Sequence, residues 1–189
     1  PRWHVEHSGR SMTVSTLLSP LEVLRQFEAH DFSIDQFFQV RLTQLRDQPM
    51  VEYQGSAMSW QDCADQANKA VGWLQTRGIA AGDRIGLMAY NHPATVVLLI
   101  ACARVGAIVV PCNPEFEARE AQYIFEHAGV RGVICSPEAL NKVQEATRQM
   151  APLPWSVVIE EDQAGEASLL QQWQDSTPDS QTRSGTADS

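Results

Sequence analysis

Residues 84–135 constrain the fold of this chain most, because apolar strand-type runs alternate there with helix-type segments on a short repeat. They read RIGLMAY, NHPATVVLLIACARVG, AIVVPCNP, EAREAQYIFEHAG and RGVIC. Parallel strands need a crossover of about a dozen residues or more, which is the spacing between these runs. A glycine follows each helix-type segment and can take the left-handed backbone that stops a helix. The pattern predicts strands over 84–89, 107–112 and 131–135, with helices over 94–105 and 117–128 between them. A further helix from Pro137 to about Met150 and a strand over 156–159 complete the series. The expected fold class is therefore α/β: a parallel-sheet βαβαβαβ layered subdomain with helices on both faces, preceded by an N-terminal helical segment.

The flanks are read from local signals. Residues 1–11 have no periodic pattern and precede Met12, so 1–16 are expected to be a disordered or upstream-derived extension. Apolar positions Leu21, Leu24 and Phe27, then Ile34, Phe37, Phe38, Val40, Leu42 and Leu45, predict one or two amphipathic helices broken near residues 30–33, with Ser33 capping the second. A short strand over 49–53, a Gln54-Gly55 turn and a return through Ala57-Met58 predict a hairpin. Ser59 and Asp62 have capping-box spacing ahead of Trp60, Cys63, Ala64, Ala67, Val71 and Leu74 at helical period, and Gly78 closes that helix. Ser136-Pro137-Glu138 should cap the last long helix. Residues 160–166 read as a polar connector and 168–173 as one or two helical turns. Residues 175–189 hold no hydrophobic side chain except Ala187, too few to offset ordering entropy, and are expected to be a flexible linker. The organisation is thus 1–16 extension, 17–174 α/β subdomain, 175–189 linker.

Several functions are excluded. The longest apolar run, residues 94–103, is far too short for a bilayer span. With no visible secretory signal, a cytoplasmic location is expected. Of the formal net charge of −9, most comes from residues 115–189, with 13 acidic and 5 basic groups, so binding a phosphate backbone through a basic face is not expected. Cys63, Cys102, Cys112 and Cys135 stand too far apart for a CxxC pair, and His4 with His7 has no metal-type partners nearby. Cys135 lacks a His/Asp setting that would make it a nucleophile.

The turn after strand 84–89 is Tyr90-Asn91-His92-Pro93, without the GxGxxG of dinucleotide folds, and no GxxxxGK[ST] exists in a chain whose only lysines are Lys69 and Lys142. Asn91 and His92 lie where open α/β sheets bind ligands, at a strand's carboxyl end. A polar Asn-His-Pro turn also simply begins a helix, which is the favoured reading. His127 suits a helix C-terminus, and Asp83 suits an Asx-type turn. No catalytic, cofactor-binding or metal-ligating residue is assigned.

Read in order, Ser59-Trp60, Ala67-Asn68, Arg77-Gly78-Ile79, Gly82-Asp83-Arg84-Ile85, Asn91, Arg104-Val105-Gly106-Ala107, Val110-Pro111, Asn113-Pro114, Glu120 and Tyr123 resemble the adenylate-forming (AMP-binding) superfamily over roughly residues 30–175. The Asn-Pro pair is more similar to the acyl-CoA synthetase branch than to the peptide-synthetase branch.

The resemblance implies the N-terminal portion of an acid–CoA ligase, whose parent would use ATP, Mg2+ and CoA to activate a small carboxylic acid through an acyl-adenylate. The Ser/Thr/Gly-rich phosphate loop ending in Pro-Lys, the adenine- and ribose-binding segments and the C-terminal-domain lysine of that family have no counterpart here. Ser184-Gly185-Thr186 lacks the rest of the loop and reads as linker. The portion alone is therefore expected to be inactive and to hold no cofactor. Its partners would be the second α/β subdomain and C-terminal domain of the same enzyme, whose absence should leave apolar residues of helix 94–105 or of the sheet face exposed. The competing expectation is a self-sufficient, non-enzymatic flavodoxin-like α/β module.

Overall fold

The computed structural model describes residues 33–160 and 168–176. The expectations for residues 1–32, for the connector beyond Glu160 and for the stretch from 177 to 189, Ser184-Gly185-Thr186 included, lie outside the described residues. Helix α1 (Ile34–Leu45) is followed by a hairpin of β1 (Pro49–Tyr53) and β2 (Ser56–Ser59), then α2 (Trp60–Thr76). The alternating part runs β3 (Arg84–Met88), α3 (Pro93–Val105), β4 (Ile108–Pro111), α4 (Ala118–Ala128), β5 (Gly132–Cys135), a single 3₁₀ turn (Pro137–Ala139), α5 (Leu140–Thr147) and β6 (Trp155–Val158). A short α6 (Leu169–Gln174) ends the described chain.

Strands β3 to β6 form one all-parallel sheet in the order β4-β3-β5-β6, and β1-β2 make a separate antiparallel pair. Alternation along the buried strands divides the core in two. Ile85, Ile134 and Val157 face one layer with α2, α3, Phe38 of α1 and Trp173 of α6. Met88, Val133, Cys135 and Val158 face the other, with Phe125 of α4 and Val143 of α5. Helices thus cover both faces, as the repeat predicts.

Local chemistry accounts for most boundaries. Ser33 accepts the amide of Gln36 at 3.1 Å and caps α1. The Ser59–Asp62 capping box closes reciprocally at the start of α2. Gly106 and Gly129 end α3 and α4 with φ of 78° and 64°, values that side chains with a Cβ disfavour. The hairpin turn places Gln54 and Gly55 at positive φ, the geometry that matches strand twist. Ser168 makes its own capping box with Gln171, and the fully buried Leu169 and Trp173 of α6 each contribute about 1.5–3 kcal/mol of burial.

Three expectations change. The predicted apolar stripe of α1 is only partly used: Phe38 is buried, whereas Ile34, Phe37 and Val40 are 45–61% exposed. The helix expected from Pro137 to Met150 is a 3₁₀ turn followed by α5, ending at Thr147. Ser136 makes no capping bond, because its hydroxyl accepts the amide of Tyr90 instead, 2.8 Å away. The apolar surface expected to be left open is present: Leu99 of α3 and Ile108 of the edge strand β4 are nearly half exposed.

Sequence periodicity gives Arg104 no role, yet it ties three helices together. Its Nε donates to Asp35 at 2.8 Å and its Nη1 to Asn68 at 2.6 Å, with the guanidinium over the Phe38 ring. Both members of the ion pair are almost fully enclosed, with 9% and 11% of their side chains exposed.

Candidate functional site

The strand order changes direction between β3 and β5, since the chain leaves β3 for β4 on one side and reaches β5 on the other. At such a point the loops at the carboxyl ends diverge and open a crevice. Register places Met88, Cys135 and Val158 level with one another, so the residues after them share one rim. A cavity of about 270 Å³ lies there, lined among others by Tyr53, Tyr90, Asn91, His92, Ser136, Glu138 and Glu160.

Each lining group has a defined local cause. Tyr90 donates its backbone amide to Ser136 Oγ, which stitches the β3 loop to the β5 loop. Its phenol donates to Glu115, and this bond, with lesser effects from burial and from Glu115 and Glu138 charge, raises the phenol above its ordinary pKa. His92 is the N-cap of α3: Nδ1 accepts the amide of Ala94 at 3.1 Å. The neutral ring therefore carries its proton on Nε2, which lies 3.6 Å from a Glu160 carboxylate oxygen. Burial lowers the His92 pKa below 6.5, and the Glu160 charge only partly opposes this. Tyr53 of the hairpin meets the imidazole edge-on at 5.7 Å between ring centres.

The sequence-level candidates separate clearly. Asn91 and His92 sit at the crevice, and His92 also begins the helix, so both readings of that turn describe one residue. Asp83 accepts the Ala80 amide and pairs with Arg131 at the opposite end of the sheet, a structural role. His127 stacks on Tyr123 on the outside of α4. All four cysteines are buried and unpaired, and burial pushes the Cys135 thiol up to about 12, far from nucleophilic. Tyr53, Ser136, Glu138 and Glu160 are additional, and the signal for three of them was present: each follows an apolar strand, at the carboxyl edge where a parallel sheet presents ligands.

Among the described residues the cavity lining carries two glutamates and no lysine or arginine. A nucleotide triphosphate placed there would meet carboxylates without a compensating cation, so these residues do not fit its phosphates. No cluster of three or more metal-ligating side chains exists among the described residues. The described residues of the lining can orient a neutral or hydrogen-bonding group.

Comparison with known proteins settles the lineage. Residues 38–188 match the family model described as AMP-binding enzyme. The chain belongs to the AMP-binding enzyme family. Its sequence is 32% identical over 101 residues to the acyl-CoA ligase sidI of Aspergillus fumigatus, covering 53% of this chain and 17% of that protein. It is 23% identical over 177 residues to a mycosubtilin synthase of Bacillus subtilis, covering 84% of this chain and 6% of that protein. Its fold is similar to a benzoate CoA ligase from Burkholderia xenovorans, with a TM-score of 0.68, 16% identity, and coverage of 80% of this chain and 30% of that one. The chain spans 14–19% of the length of the first curated relatives it matches. As an AMP-binding family chain it has the family's expected α/β architecture. The strand order is also that of flavodoxin-like sheets, so topology alone does not separate the two sequence-level readings. Membership of the AMP-binding enzyme family favours the adenylate-forming reading.

Proposed function

We propose that this chain forms the N-terminal α/β part of an acid–CoA ligase and supplies one wall of its substrate crevice. In the whole enzyme a carboxylate oxygen would attack the α-phosphorus of ATP, with Mg2+ present, expelling pyrophosphate. The thiol of CoA would then attack the acyl carbon, expelling AMP. Adenylation makes a good leaving group of a poor one, and the charge at phosphorus must be met by cations. No step is assigned to residues of this chain, because its crevice is rimmed by carboxylates.

The observation that carries the reading is the family match over 38–188 together with a switch-point crevice whose described lining groups include no phosphate-binding ones. The CoA branch is supported by Asn113-Pro114 directly after β4 and by the relatives named as CoA ligases. Exposed Leu99 and Ile108 support packing against further parts of the same enzyme. Unpaired, buried thiols suit a reducing compartment such as the cytoplasm. The test is calorimetry with ATP and Mg2+ on the 189-residue chain, with reading of the codons beyond Ser189. No measurable binding and a downstream Ser/Thr/Gly-rich loop followed by Pro-Lys are expected. Tight Mg2+-dependent ATP binding by this chain alone would refute the proposal.

A further inference from the structure

A larger cavity lies at the other end of the sheet, where the strands begin. It measures about 740 Å³, within the size range of small-molecule sites, and is lined by Arg77, Arg131, Trp155, Val130, Met150 and Leu153. Three helices finish nearby, α2, α4 and α5, and their carboxy-terminal carbonyls give the rim a negative field. Glu126 adds a charge of the same sign. Two arginines in such a place act first as neutralisers. Arg131 donates Nη1 to the Gly78 carbonyl at 3.0 Å and to Asp83 at 2.8 Å, and Arg77 donates Nη2 to Gln172 at 2.7 Å.

Those bonds engage one nitrogen of each guanidinium, and each group has five N–H donors. Among the described residues no hydrogen-bond acceptor meets the other nitrogens of either arginine. Arg77 is also held in place. Its guanidinium lies 5.1 Å from the Trp73 ring centre and 5.3 Å from that of Trp155, and the two indoles meet edge to face. Trp155 in turn packs so close over Gly132 that a Cβ there would collide with the ring. A fixed cation with donors open to solvent thus borders an indole and an apolar lip on which Leu153 is 66% exposed.

We propose that this amino-end cavity binds a small amphipathic anion, an aromatic or branched aliphatic body bearing one carboxylate, sulfonate or phosphate. The body packs between Trp155, Met150 and Leu153, and the anionic group takes the open donors of Arg77 and Arg131, a charge-assisted arrangement stronger than a neutral one. The site is separate from the crevice at the carboxyl ends of the strands and does not depend on the ligase reading.

The probe is 2-naphthalenesulfonate, titrated into the full chain labelled with 15N-tryptophan, with neutral 2-naphthalenemethanol as control. A saturable shift of the Trp155 indole resonance is expected with the sulfonate, and at least about tenfold weaker binding of the alcohol, reflecting the lost charge-assisted bonds. Arg131→Gln should weaken the sulfonate by about tenfold and leave the alcohol unchanged. Leu153→Asp, at an exposed position that folding tolerates, should weaken the sulfonate at least about tenfold through like-charge repulsion. Equal affinity for sulfonate and alcohol, no Trp155 shift, or unaltered sulfonate binding in folded Leu153→Asp would overturn the proposal.

Discussion

Replacing Asp35 by alanine tests how far one polar contact fixes the N-terminal helix to the rest of the subdomain. Asp35 and Phe38 are the only buried residues of α1. Removing the carboxylate leaves Arg104 enclosed, its charge met among the described residues by Asn68 and the Phe38 ring. Breaking a buried pair from one side costs about 3–5 kcal/mol, because the stranded charge keeps its desolvation penalty. The two contacts that Arg104 retains place the expected loss near the lower bound, about 3 kcal/mol. For a domain of this size that corresponds to a melting temperature lower by about 6–12 °C. Urea unfolding followed by circular dichroism gives the free energy, and amide exchange over residues 34–45 should accelerate before the rest of the chain. The paired change Asp35→Leu with Arg104→Met should recover most of the loss, since an apolar replacement leaves no unpaired charge. A loss below about 1 kcal/mol for Asp35→Ala, the value of a solvent-exposed pair, would refute the reasoning.

Two further outcomes are expected. His92 titrates below its ordinary 6.5 in the folded chain, so the unfolded chain binds the proton more readily. Stability should therefore be full above about pH 6.5 and decline as pH falls through the lowered native value. His92→Asn keeps a capping side chain and should flatten this decline between about pH 8 and about pH 5, as read from urea midpoints, and an unchanged slope would contradict the assignment. Gly132→Ala drives a methyl group into the Trp155 ring and should cost at least about 1–3 kcal/mol, with recovery when Trp155→Val is added. An unaltered melt in the single variant would show that the indole can move aside.

Much of the fold was legible because its determinants are local. The glycines at 106 and 129, the capping box at 59 and 62, and Pro93 in the first turn of α3 each act within a few residues, so reading the chain finds them. What stayed hidden depends on residues far apart. Arg104 meets Asp35 across 69 positions, and the Ser136 hydroxyl accepts an amide 46 positions away rather than capping its own helix. Helical period marked α1 as a helix, but it could not say that of its apolar stripe Phe38 would be buried and Leu42 would pack against the core while Ile34, Phe37 and Val40 stay exposed. The crevice was half legible: Asn91 and His92 followed from the rule about strand ends, whereas Tyr53, brought in by the hairpin, carries no such signal.

The sheet has two outer rows, β4 and β6, each four residues long. Unpaired backbone along a sheet margin invites another chain to add itself, and brevity, proline and interruption are the usual safeguards. Here β4 ends in Pro111, which offers no amide for pairing. The margin that carries Ile108 can thus accept a side-chain neighbour while giving little purchase to strand-by-strand growth, so crowding should favour lateral docking over fibril-like stacking.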